Sequence, residues 1–199
     1  MASMEELREG VQKCLPELGR ITNAELRGKV VEAWAFALSQ TEFTSIDDIP
    51  ARAAPEHPMF KDGQGTQSGH FRGVALIAQG IADGVEKIHP NLHIDRDLLW
   101  ACALCHDLGK PYEMSLRNQA RWRSDVAAHG YPALRHPEYG VYVALTAGLP
   151  EEVAHTAGTH SGEGELVQRS LLNTIVHFAD YSYWNCVDRA GLLVSAMFK

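Results

Sequence analysis

Helical periods run through almost the whole chain. Apolar residues recur at intervals of three and four over residues 4–14 and again over 23–39. In the second stretch Leu26, Val30, Ala33, Trp34 and Leu38 share one side, behind a Thr22 or Asn23 cap. Residues 41–67 break the pattern with Pro50, Pro55, Pro58, Gly63 and Gly65, which predicts a long connection. The period resumes over 69–87, with His70, Val74, Ile77, Ile81 and Val85 on one face. Asp95 caps the next helix, which passes through Leu98, Leu99, Ala101, Cys102 and Cys105 to His106; Gly109 and Pro111 stop it. Residues 112–131 are polar and carry no clear period. Two short helices follow over 137–147 and 150–160, hinged at Gly148-Leu149-Pro150. The loop Ser161–Gly164 leads into a long helix over about 165–187 and a short one over 188–198. No segment alternates as a strand does. The expected fold is all-α, a single-domain bundle. Residues 1–65 supply N-terminal helices and a long connection packed on a core of 66–199.

A length of 199 residues is enough for one well-buried domain. The net charge of −7 argues against polymeric nucleic acid and anionic membranes as partners, yet leaves room for a local basic pocket that takes a small phosphate ligand. The start, MASMEELREG, lacks the apolar stretch of a secretory signal, and the longest apolar run, 98–105, is too short for a bilayer. A cytoplasmic location with reduced cysteines is therefore expected. This bears on Cys102-Ala-Leu-Cys105-His106, which has the spacing of c-type haem attachment. In a cytoplasmic chain, inside a helical pattern, both cysteines read as small core residues. That leaves His106 for other chemistry.

His106 and Asp107 end a nearly all-apolar helix, where an unpartnered carboxylate is costly. A metal ion is one such partner. Adjacent helical positions diverge by about 100°. The imidazole therefore binds one ion while the carboxylate reaches a second, unless the helix end unwinds. His70 opens an apolar face, His136 begins a helix and His160 follows one. Asn173, His177 and Asp180 form a polar stripe among Leu172, Ile175 and Val176; such a stripe needs inward partners. Arg117, Arg121 and Arg123, with Trp122 between them, either clamp a phosphate or stack a base, or else form a solvated face.

The order H…HD…H…H…D, supplied by His70, His106-Asp107, His136, His160 and Asp180, resembles the HD-domain superfamily, named for its metal-binding His-Asp pair. The resemblance runs over roughly residues 66–188, through GHFRGVALIAQGIA, ALCHDLGK, RHPEYG, THSGEGE and LLNTIVHFAD. It implies a helical bundle around two divalent cations, with iron, manganese, cobalt or zinc suited to the nitrogen and oxygen donors. By the same resemblance, His70, His106, Asp107 and Asp180 hold the first ion, and Asp107, His136 and His160 the second. Ser161 stands where related proteins often carry another histidine, and Tyr183-Trp184-Asn185 where many carry another aspartate, which argues against a third ion. The implied activity is hydrolysis of a phosphate mono- or diester on a small nucleotide-like or pterin-like substrate, by water that the paired cations acidify. Asp107 sits at the catalytic centre. Lys110 and Arg135 are the candidate phosphate contacts, and His177 is a general acid or a support behind the ligands. The same ligand set is also that of a mixed-valence di-iron oxygenase cleaving C–C or C–P bonds. A third reading is a non-catalytic binding module that keeps metal for structure. The expected partner is a small phosphorylated molecule; a homodimer stays open.

Overall fold

A computed structural model describes residues 2–50, 60–61 and 65–194. Its helices are α1 (Met4–Cys14), α2 (Ala24–Ser39), α3 (Gln67–Ile88), α4 (Arg96–Cys105), α5 (Lys110–Met114), α6 (Leu116–Ser124), α7 (Val126–His129), α8 (His136–Thr146), α9 (Glu151–Thr159) and α10 (Leu171–Arg189). The fold is all-α. Among the described residues the sole β feature is one isolated antiparallel bridge, Phe60 with Leu193. No helix among them is long and apolar enough to cross a membrane.

Helix α4 has no polar side between Leu98 and Cys105, and a helix that is apolar all round is stable only when surrounded. It is packed by α2, α3, α9 and α10, and Leu99 through Cys105 are almost wholly inaccessible. Burial pushes the Cys102 thiol up to about 12 and Cys105 well above its ordinary value, so both are protonated core residues.

The N-terminal helices join this core. Leu7 and Val11 of α1 and Val30, Trp34 and Leu38 of α2 belong to the same apolar cluster as α3, α4 and α8–α10. Trp34 stacks on Phe71 with ring centroids 4.9 Å apart, and its Nε1 donates to the Leu104 carbonyl at 3.0 Å. Trp34→Phe keeps an aromatic ring but loses the indole N–H and orphans that buried carbonyl. A loss of about 1–2 kcal/mol is expected, read from the urea midpoint with an unchanged m value.

Helix α3 faces inward about one residue away from the expected register. After Gln67 and Ser68 in the first turn, its buried positions are His70, Phe71, Val74, Ala75, Ala78 and Ala82, while Ile77 and Ile81 are half-buried and Val85 is exposed. The alanines let α4 and α10 approach closely, and the isoleucines cover the flanks.

Three further expectations change. The last long helix begins at Leu171, not near 165, because Arg169 turns back to the carbonyls of Thr159 (2.7 Å) and Ser161 (2.8 Å). Ser170 then caps α10 through the Asn173 amide, and residues 162–166 form a separate 3-10 turn. The short helix over 188–198 does not form in its described part. Gly191 turns with φ +71°, the Leu192 carbonyl accepts from the Lys61 amide at 2.9 Å, and Leu193 pairs with Phe60. Residues 195–198 of that helix lie outside the described residues, as do Pro55, Pro58 and Gly63 of the long connection. Finally, 112–131 resolves into α5, α6 and α7, with Ser115 and Asp125 capping the last two. Trp122 there is buried and not available for stacking a ligand. Arg117, Arg121 and Arg123 reach the Gln40 carbonyl, the Tyr112 hydroxyl and the Tyr131 hydroxyl.

Candidate metal centre

The candidate ligands stand mostly at helix ends, where a side chain can leave its helix and meet others. Helix α4 stops at Cys105, and the chain tightens there: Leu108 N bonds Cys105 O at 3.2 Å and Lys110 N bonds Asp107 O at 2.9 Å. The tighter turn brings the neighbours His106 and Asp107 to the same point, with His106 Nε2 3.2 Å from Asp107 Oδ2. His136 is the first residue of α8 and His160 the residue that closes α9. His70 lies in the first turn of α3. Asp180 is the exception, mid-helix on α10, and it shares its buried stripe with Asn173 and His177.

These side chains surround Asp107. Oδ2 faces His70 Nε2 at 3.3 Å as well as His106, and Oδ1 faces His136 Nε2 at 3.3 Å and His160 Nε2 at 3.5 Å. Asp180 Oδ1 stands 3.3 Å from His70 Nε2. Ligand atoms of His70, His106 and Asp180 lie within 4.8 Å of one another, and so do those of His106, Asp107 and His160. Every one of these six residues is buried.

The donor chemistry fits divalent cations. His106 Nδ1 donates to the Ala103 carbonyl at 2.7 Å, His160 Nδ1 to the carbonyls of Thr156 and Ala157, and His136 Nδ1 to Glu113 Oε2 at 2.6 Å. Three rings thus spend their proton on Nδ1 and turn an Nε2 lone pair inward. Those lone pairs face a carboxylate, and His106 Nε2 faces His70 Nε2 at 3.2 Å. Asp180 Oδ1 is buried without a hydrogen-bond partner. Acceptors converging on acceptors require positive charge between them. Donors bound at about 2.0–2.2 Å around one cation sit roughly 3.0–3.5 Å apart, the range of the spacings above.

Burial pushes the His70 imidazole down to about 4 and lowers His160, which favours the neutral ring that ligation requires; at His106 burial is outweighed by Asp107 and that ring is raised. Burial opposes ionisation of Asp107 too, but Lys110 and His106 outweigh it and hold this carboxyl well below its ordinary range.

The HD domain family model matches residues 68–184, more than half of the chain. The chain belongs to the HD domain family. No curated protein and no solved structure matches it. Membership places it in a superfamily of metal-dependent phosphohydrolase type, and the His and Asp clusters of this HD centre are where a divalent metal can be held.

A cavity of about 230 Å³ opens onto the HD centre, walled by Asp107, Lys110, His136, His160, Ser161, Asp180, Tyr181 and Trp184. Lys110 is buried, with Nζ 2.8 Å from Asp107 Oδ2. Arg135 is half-exposed beside the site; its guanidinium reaches Glu113 Oε1 at 3.5 Å and Glu163 Oε1 at 3.4 Å and is not part of the cavity wall. His177 lies behind the wall, its Nδ1 2.5 Å from the His160 carbonyl.

Glu113 was not singled out in the sequence. Its Oε2 receives both the backbone amide (2.5 Å) and Nδ1 of His136, and so sets the orientation and basicity of that ring. The signal was present: Asp107, Lys110 and Glu113 follow at steps of three, one helical face beyond the His-Asp pair. Glu113→Gln should weaken divalent-metal binding about 10- to 100-fold, checked by competition with a metal chelator. Glu163, tied to Ser161 Oγ at 2.6 Å as well as to Arg135, was also missed; it lies in the THSGEGE segment.

Proposed function

We propose that this HD protein hydrolyses a phosphate mono- or diester of a small substrate, using two divalent cations that share Asp107. One observation carries the reading: the four imidazoles divide between the two carboxylate oxygens, His70 and His106 at Oδ2, His136 and His160 at Oδ1. Asp180 completes the first group. Cations held there lower the pKa of water toward neutrality and withdraw charge from phosphoryl oxygens. Asp107 fixes the spacing between the two groups. Lys110 sits on the cavity wall with three donors. With Asp107 engaged as a metal ligand, the Lys110 ammonium would be placed to meet a phosphoryl oxygen. His177 holds the end of α9 through the His160 carbonyl, which makes it a support for that ligand. Arg135 stays locked between Glu113 and Glu163 at the rim and meets only a substrate large enough to reach it.

The test is elemental analysis of protein purified without chelator, paired with turnover of bis(p-nitrophenyl) phosphate in air and without oxygen. Paired cations and oxygen-independent hydrolysis, lost on chelation and restored by manganese, are expected. Turnover that requires dioxygen would transfer the chain to di-iron oxygenase chemistry. Tightly held metal without turnover of any phosphoester would make it a binding module.

A further inference from the structure

His70 differs from the other three candidate imidazoles. His106, His136 and His160 each fix their ring through a hydrogen bond at Nδ1, whereas His70 Nδ1 is buried without a partner. The tilt of a ligand ring is normally set by such a bond. At His70 the groups in place to set it are aromatic. Trp184 packs against the imidazole with ring centroids 4.7 Å apart and planes at 31°. Tyr183 meets it edge-on at 4.9 Å and Phe71 at 5.5 Å, the tilted arrangement that aromatic rings favour. Gly73, one turn after His70 on α3, leaves the room for this: a Cβ there would lie 2.5 Å from Tyr183 Cε2.

Trp184 is itself held from behind. Phe60 packs on it with centroids 6.2 Å apart, and Leu193 joins the same buried cluster. Phe60 and Leu193 are tied together by their antiparallel bridge and by the Lys61 amide, which donates to the Leu192 carbonyl at 2.9 Å. A Cβ on Gly65 would overlap the Phe60 ring, so that glycine seats it. Phe60, Gly65 and Leu193 all lie outside residues 68–184, the stretch matched by the family. We propose that Tyr183 and Trp184 are positioning residues that hold His70 for a cation by ring packing in place of a hydrogen bond, and that Phe60 and Leu193 clamp Trp184 from outside the HD segment. This rests on the metal-centre reading and not on the reaction proposed for it.

Cobalt titration of chelator-stripped protein, followed by visible absorption, tests it without any turnover. Trp184→Ala should weaken binding of one cobalt equivalent about tenfold, the effect of losing a group that orients a ligand. Trp184→Phe should retain that affinity, and Leu193→Ala should give a smaller loss of the same sign. The deciding measurement is a cycle with His70→Ala: if the rings act through His70, Trp184→Ala made on that background costs no further affinity. Leu7→Ala controls for lost stability. Leu7 is buried on α1, which packs on α2, and its removal should lower the urea midpoint with cobalt affinity unchanged. Losses that add in the double variant, or unaltered cobalt affinity in Trp184→Ala, would overturn the cage; unaltered affinity in Leu193→Ala would overturn the clamp. No effect of His70→Ala on cobalt would take His70 out of the centre and overturn both. A single equivalent in the unmodified protein, weakened in the same cycle, would overturn the paired cations and keep the cage.

Discussion

Asp107→Asn should lower phosphoester turnover about 10³-fold or more, with loss of most bound metal. Asparagine has nearly the same shape, so the fold is kept. What changes is that one carboxylate oxygen becomes an NH₂ donor, directed at two imidazoles whose Nε2 lone pairs also point inward. Whichever pair meets the amide nitrogen loses its anionic partner, and the remaining oxygen carries no charge to share. A second effect follows in the metal-free protein. Lys110 is buried with its ammonium 2.8 Å from Asp107 Oδ2, and the asparagine leaves that charge without a counter-ion. Removing one member of a buried pair costs about 3–5 kcal/mol, so the chelated variant should melt well below the chelated parent. Adding Lys110→Met should recover most of that stability and none of the turnover, which separates the electrostatic role of Asp107 from its chemical one. Wild-type turnover in Asp107→Asn would remove the shared-carboxylate centre altogether.

The parts of this site that could be read from the chain were those carried by residue type at a helix boundary. His106-Asp107 ends an apolar run, His136 precedes Pro137, and His160 precedes Ser161-Gly162; each break in period marks a place where a side chain can leave the helix. The stripe Asn173, His177 and Asp180 was legible because three polar side chains at helical spacing among apolar neighbours have to face one another or a ligand, and all three are buried. Features set by tertiary contacts were not legible. The start of α10 depends on Arg169 folding back onto Thr159 and Ser161, a contact ten residues away in sequence. Residues 191–194 follow the pairing of Leu192 and Leu193 with Lys61 and Phe60, more than 130 positions earlier, over any local propensity. The register of α3 depends on which residues its neighbours tolerate, and alanine carries little hydrophobic signal. Glu113 was obscured by a segment without period, although its importance comes from one bond to a ring 23 residues on.

Gly109→Ala should disable the His136 side of the centre without touching a ligand. A Cβ at position 109 would lie 2.0 Å from the His136 carbonyl oxygen and 2.7 Å from the Gly140 amide nitrogen. Both are backbone atoms, so no side chain can rotate aside, and α8 has to retreat from the turn that follows His106-Asp107. This close approach is what holds His136 Nε2 3.3 Å from Asp107 Oδ1 and lets Glu113 grip the same ring. Overpacking a filled site costs about 1–3 kcal/mol, and a clash between backbones belongs at the upper end of that range. The expected result is a lower urea midpoint at constant m value, together with metal affinity reduced about 10- to 100-fold. Gly80→Ala is the matched control. It lies in the interior of α3, its Cβ would meet nothing within 4 Å, and the same substitution there should stabilise by roughly 0.5–1 kcal/mol with metal binding unchanged. If Gly109→Ala loses stability but keeps full metal affinity, α8 can shift without carrying His136 away, and the ring must be held by Glu113 alone. If it loses neither, the packing of the turn against α8 has no part in building the centre.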